Sequence, residues 1–386
     1  MSDLQAISGA RIFDGQGWHD DAALLTEFGH VSGIVRAADV PAHAERVTLA
    51  GGMLVPGFVD LQVNGGGGVL FNNDPTLSGI RTICAAHAQF GTTALLPTLI
   101  TDTVPVNVAA IAAGKAAADA AVPGFIGLHL EGPHLSLARK GTHHPDLIRP
   151  MDAEDCARLI AARAELPNLL VTVAAETVEP AMIAALQAAG IVVSIGHSDA
   201  GFDVATAAFE AGATMATHLF NAMSQLGNRE PGVVGAVLAS PHVHAGLIAD
   251  GIHVHPAAIR AALRAKHGTG HIFLVTDAMS QTGTDLTSFT LNGRTITRAN
   301  GALRLDDGTL AGADLDMINA VEFMHSTIGL TLDEALRMAA LYPAEAMGIA
   351  DLHGHLGPGA LASFVHLDDA RRVSATWISG RQVFQV

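Results

Sequence analysis

Positive charge is scarce in this sequence: 21 Lys and Arg stand against 37 Asp and Glu, a formal net charge of −16. Nucleic acid and anionic membrane surfaces both demand a basic face, so this deficit argues against either as a partner. An anionic small substrate would need its own local cluster of cations. Cysteine is scarcer still. Cys84 and Cys156 are the only two, too few for a disulfide framework and without metal-ligand spacing, which fits buried thiols in a reducing cytosol. No uninterrupted apolar stretch approaches ~18 residues, and the opening MSDLQAISGARIFDG has neither a basic n-region nor an apolar h-region. The expectation is a cytoplasmic chain with no membrane partner.

What is present is core. At 386 residues, 49% hydrophobic and 15% charged, the chain suits one large α/β domain plus a smaller module. Both ends read as short strands broken by turns, as in ISGARIFDGQG and VSATWISGRQVFQV. Residues 1–55 and 350–386 are therefore expected to pair into one small β domain, with residues 56–349 inserted in it. Within that insertion, apolar runs alternate with Ala-rich helical stretches, the mark of a parallel sheet. Eight candidate strands begin near Leu54, Thr93, Gly124, Asn168, Ile191, Ala213, His244 and His271. Eight units predict a (β/α)8 TIM-like barrel, and no glycine-rich dinucleotide fingerprint supports an open sheet instead. A β-hairpin insertion is expected around residues 285–312.

A parallel barrel builds its active site at the C-terminal ends of its strands, so the polar residues that close each apolar run are the candidates. Strand one ends at Gln62 and Asn64, and strand three at His129, Glu131 and His134. Glu176, His197 and His218 close strands four to six, Asp250 and His253 strand seven, and Asp277 strand eight. Each has an ordinary reading alone: a strand-end histidine is usually a rim residue, and Glu131 or Asp277 could cap a helix. Their coincidence at one mouth reads as a metal site. Glu131, His197 and His218 make the one-oxygen, two-nitrogen set of a catalytic zinc site that keeps a position open. Asp277 is then the general base, and the chemistry is hydrolysis. The same set suits Fe2+, Co2+ or Mn2+.

PGFVDLQVNGGGG, HLEGPH, RKGTHHP, GHSDA, THLFNAM, DGIHV, LVTDAM, GTLAGA and GHLGPGALASFV follow one another from Pro56 to Val365. Together they resemble the amidohydrolase superfamily, and within it the hydrolases that deacetylate amino-sugar phosphates. The resemblance implies a (β/α)8 barrel with a small β-sandwich domain from both termini. It implies Glu131, His197 and His218 as metal ligands, Asp277 as catalytic acid and base, and His143 beside the acetamido carbonyl. Thr142, Asn221, Ala222, Arg229, Asp250 and His253 match positions that bind sugar and phosphate; Leu310, Ala311 and Gly312 match a loop that closes over the substrate. The implied reaction converts N-acetyl-D-glucosamine 6-phosphate to D-glucosamine 6-phosphate and acetate. N-acetylgalactosamine 6-phosphate or another amide is the alternative substrate, and an inactive barrel kept as scaffold the non-enzymatic one. Two-metal members carry His-x-His where this chain has Gln62 and Asn64, which implies one divalent ion per subunit, zinc first. A homodimer is expected from resemblance alone. His134 and Ala313 depart from the family pattern.

Overall fold

The computed structural model describes residues 4–386. Eight parallel strands form its centre: β1 (Phe58–Val63), β2 (Thr92–Ile100), β3 (Leu128–Glu131), β4 (Leu169–Val173), β5 (Val192–Ile195), β6 (Met215–Ala216), β7 (His244–Ile248) and β8 (Ile272–Val275). They are hydrogen-bonded in sequence order. Every residue of β1 to β4 is buried, as a sheet requires when helices cover one face and the barrel interior the other. The Ala-rich stretches are those helices. Val104–Asp119, for example, turns Ala110, Ala113, Gly114 and Ala117 inward at helical spacing, and these small side chains let it lie close to the sheet.

The last and first strands meet through a reduced ladder. Val63 bridges Ala278, and the Asp277 N–H donates to the Gln62 carbonyl at 3.0 Å. Below them the buried Asp60 carboxylate accepts from the backbone of Gln62 and Thr276, both at 3.2 Å, and from the Thr276 hydroxyl at 2.5 Å. Burial pushes Asp60 up to about 7, against the Thr276 hydrogen bond. This seam fixes the end of β1 beside the end of β8.

One expectation needs correcting. Met53–Pro56, where the first barrel strand was expected to begin, belongs to another sheet, pairing parallel with Arg11–Phe13 and antiparallel with Phe364–Leu367. The barrel starts at Phe58. Between the two, Gly57 passes so close to β2 that a Cβ there would lie 2.0 Å from the Thr93 hydroxyl, so only glycine makes the crossing.

The terminal segments form two sheets. Gln5–Ser8, Ala22–Glu27, His30–Arg36 and Glu45–Thr48 make the first; Arg11–Phe13, Trp18–His19, Met53–Pro56, Phe364–Leu367, Val373–Ile378 and Arg381–Gln385 make the second. Ile7, Ile12, Leu24, Leu54, Phe364 and Trp377 share a core. After β8, a four-stranded antiparallel sheet, β9 (Ser288–Leu291), β10 (Arg294–Ala299), β11 (Ala302–Leu305) and β12 (Leu310–Ala313), stands on the barrel rim. The Ala313 N–H donates to the Asp277 carbonyl at 2.8 Å, anchoring that sheet at the mouth. Among the described residues, no helix is long and apolar enough to cross a membrane.

Candidate active site

A cavity of about 500 Å³ opens over the C-terminal ends of the strands. His197, His218 and Asp277 each stand two residues past the end of β5, β6 and β8. All three take left-handed backbone angles, φ of 47°, 33° and 50°, which costs a side-chain-bearing residue roughly 1–3 kcal/mol. That turn takes each side chain off its strand and into the mouth, where all three line the cavity.

Glu131 Oε1 lies 3.3 Å from His197 Nε2 and 3.2 Å from His218 Nε2, and the two nitrogens are 3.1 Å apart. Tetrahedral ligands about 2.0–2.1 Å from a zinc ion lie roughly 3.3 Å from one another, so this triangle has the edge length of three such ligands. Tautomers agree. His197 Nδ1 sits 2.7 Å from the Arg139 carbonyl, which accepts its proton and leaves Nε2 with a bare lone pair. Without a cation, the cluster is satisfied only by protons: burial lowers His218, but the Glu131 hydrogen bond more than offsets it and raises the ring above its ordinary value. Glu131, despite burial, is held well below the usual carboxylate range by His197 and His218. Those protons are what a divalent ion displaces. The residues fit a metal.

His143 also lies close; ligand atoms of Glu131, His143 and His197 fall within 4.8 Å of one another. Its hydrogen bonds give it another part. The Thr101 N–H donates to His143 Nδ1 at 3.3 Å, with the Thr101 hydroxyl 2.7 Å from the same atom. Nδ1 is therefore the acceptor, and burial, with His197 nearby, keeps the ring neutral by holding it well below 6.5. The remaining proton is on Nε2, which makes His143 a donor into the cavity and not a ligand. Across the triangle, burial and the charge of Glu131 push Asp277 up to about 6. Gln62 Nε2 spans the two acids, 3.4 Å from both Glu131 oxygens and 3.2 Å from Asp277 Oδ1.

A Glu–His–His triangle that fits a metal, a carboxylate beside it and a neutral imidazole donor meet at one barrel mouth, and a model of the amidohydrolase family matches residues 53–383. The chain belongs to that family. It is 44% identical over 379 residues to the N-acetylgalactosamine-6-phosphate deacetylase of Shewanella sp. (strain ANA-3), a match covering 98% of this chain and 95% of that one. To the N-acetylglucosamine-6-phosphate deacetylase of Haemophilus influenzae it is 34% identical over 364 residues, 94% of each chain. The crystal structure of N-acetylglucosamine-6-phosphate deacetylase from Pasteurella multocida superposes with a TM-score of 0.94 at 35% identity, covering 98% of this chain and 99% of that one. The chain is thus an enzyme of the amidohydrolase family, not an inactive barrel.

In this amidohydrolase the other sequence candidates divide. Thr142, Asn221, Ala222 and His253 line the cavity. Asp250 stands behind His253, its carboxylate 2.5 Å from Nδ1, and so aims the ring without lining the cavity. Leu310 and Gly312 line it too, while Ala311 between them is buried in the rim-sheet core, as strand alternation demands. Arg229 is exposed and outside the cavity of the single chain. His129 points down into the barrel, 2.7 Å from the Thr172 hydroxyl, and burial lowers it to about 4. His134 and Glu176 also lie outside: His134 bonds the Arg149 carbonyl, and Glu176 takes the Ser198 hydroxyl at 2.6 Å.

Sequence reasoning missed the Arg139 carbonyl, Thr101 and Arg304. Thr101 follows β2 directly and the strand-end rule reaches it. A backbone carbonyl carries no residue signature, and Arg304 lies mid-strand in a hairpin, where nothing in the local sequence marks it.

Proposed function

We propose that the chain hydrolyses the acetamide of an N-acetylhexosamine 6-phosphate, N-acetylglucosamine 6-phosphate first, to acetate and the amine. The observation that carries this reading is the Glu131–His197–His218 triangle, with Asp277 joined to it through Gln62 and the neutral donor His143 beside it. One divalent ion in the triangle, zinc or else Fe2+, Co2+ or Mn2+, would lower the pKa of a water to ~7 and polarise the amide carbonyl. Asp277 takes a proton from the attacking water and returns it to the leaving nitrogen. His143 Nε2–H donates to the carbonyl oxygen as negative charge builds there. Asn221, Ala222 and His253, with Asp250 behind it, hold the sugar; Leu310 and Gly312 cover the acetyl end. Thr142 completes the wall next to His143. Arg229 fits this reading as a residue offered to a second copy of the chain, in a homodimer.

A second reading takes the C4 epimer as the better substrate. The 44% match to a galactosamine-type deacetylase, against 34% for the Haemophilus glucosamine-type enzyme, favours it. Acetate release measured side by side on both phosphosugars tests both readings: kcat/KM above background on at least one is expected and its ratio ranks the epimers, while no release from either sinks the function.

A further inference from the structure

Side chains inside a parallel barrel are usually branched and apolar, packed in layers. Beneath the Glu131–His197–His218 triangle they are polar instead. Thr98 on β2, His129 on β3, Thr172 on β4, Ser194 on β5 and Thr217, one residue past β6, are all buried, and they form one chain. The Thr98 hydroxyl lies 3.3 Å from His129 Nδ1, and the Thr172 hydroxyl 2.7 Å from His129 Nε2. Thr217 Oγ1 then lies 2.7 Å from Thr172 Oγ1 and 2.6 Å from Ser194 Oγ. The strands β2 to β6 are thus tied together from inside the barrel.

One arrangement of the protons leaves none stranded. Among the described residues the Ser194 hydroxyl has only Thr217 as its acceptor, so Ser194 donates to Thr217, Thr217 to Thr172 and Thr172 to His129 Nε2. His129 Nδ1 then carries the ring proton and faces Thr98 Oγ1, which also takes the Val63 N–H at 2.9 Å and gives its own proton to the Leu96 carbonyl at 3.2 Å. Every hydroxyl is satisfied and fixed in direction. That is the condition under which a buried polar network specifies one arrangement of the strands that carry it.

Each corner of the triangle rests on this chain. His129 stands two residues before Glu131 on the same face of β3, and the Thr172 carbonyl takes the Gly132 N–H, just past Glu131, at 3.1 Å. Thr217 immediately precedes His218. Gly196, immediately before His197, packs so closely that a Cβ there would lie 2.8 Å from both Thr172 and Thr217.

The geometry points to His129 as a positioning residue that, through Thr172 and Thr217, holds side chains from three strands at the spacing of metal ligands; this rests on the reading of Glu131, His197 and His218 as the ligands of the proposed deacetylase. His129 does not line the cavity, so it acts through the ligands. Loss of such a supporting hydrogen bond lowers metal affinity by about 10–100-fold.

Competition between a chelator and the cobalt-loaded full chain, with the visible spectrum of the bound cobalt recorded, tests this without turnover. His129→Leu removes the imidazole. Thr172→Val keeps the shape and loses the hydroxyl, and it carries the test where His129→Leu does not fold; Thr172→Ser keeps the hydroxyl. His129→Leu and Thr172→Val are expected to raise the cobalt Kd about 10–100-fold and to shift the cobalt bands, while Thr172→Ser stays close to wild type. A Thr172→Val chain with unchanged Kd and spectrum, whatever its Tm, overturns the inference, as does a Thr172→Ser chain as weak as Thr172→Val. The two failures are distinguishable. A wild type whose cobalt affinity depends on the Thr172 hydroxyl yet releases no acetate fails only the function; one that deacetylates with a cobalt affinity indifferent to that hydroxyl fails only this inference.

Discussion

The side-chain amide of Asn64 donates to the carboxylate of Asp277 at 2.6 Å, while its own Oδ1 is buried with no partner. Two residues earlier Gln62 reaches the same carboxylate oxygen at 3.2 Å. Both amides turn a donor nitrogen toward the acid.

Those donors stabilise ionised Asp277, which is the form a general base needs. Burial and Glu131 push it up to about 6, and the Asn64 hydrogen bond works in the opposite direction. Activity should therefore fall as pH drops through the Asp277 pKa. Removing the donor with Asn64→Ala raises that pKa further and moves the acid limb of kcat to higher pH. The pH–rate profiles of the two proteins check this; coincident acid limbs would contradict it.

With no imidazole at Gln62 or Asn64, the proposed ligand set of Glu131, His197 and His218 is one for a single ion. Metal analysis of the purified chain should give one divalent ion per chain, and His218→Ala should lose it. Chelation should abolish activity and lower the Tm, because an ion that binds the folded chain alone stabilises it. Zinc, cobalt, manganese or iron should restore both. Two ions per chain, reproducibly, would contradict the single-ion site.

Asp60 at the barrel seam makes a separate prediction. Its folded pKa of about 7 lies above the ordinary carboxylate value of 3.8, so the folded chain keeps a proton that the unfolded chain releases. Stability from this group is present below about pH 4 and declines as pH rises to about 7. Asp60→Asn removes the titration, so denaturant melts should show the variant gaining on wild type between pH 5 and pH 8. A constant difference across that range would rule this out.

Much of the site was legible because strand ends in a parallel barrel converge whatever the rest of the chain does. Glu131, His197, His218 and Asp277 are found by that rule, and Gln62 brings the last of them to the other three. The first strand was misplaced at Leu54 because Met53–Pro56 and Phe58–Val63 form one apolar run, and hydrophobicity does not say which sheet a strand joins. The tautomers of His197 and His143 were invisible: they depend on the Arg139 carbonyl and the Thr101 N–H, backbone atoms of a kind that any residue can supply. Arg229 looked like the substrate's cation by motif, yet the single chain leaves it exposed and outside the cavity.

In the proposed reaction Asp277 moves the proton while Glu131, His197 and His218 hold the ion. Asp277→Asn keeps the shape and the Oδ1 acceptor but cannot take a proton, so the decisive measurement is kcat of this variant with its metal content determined on the same sample. The prediction is wild-type metal content with kcat lowered by about 10²–10⁴-fold; a variant with its full metal and near wild-type kcat would contradict it.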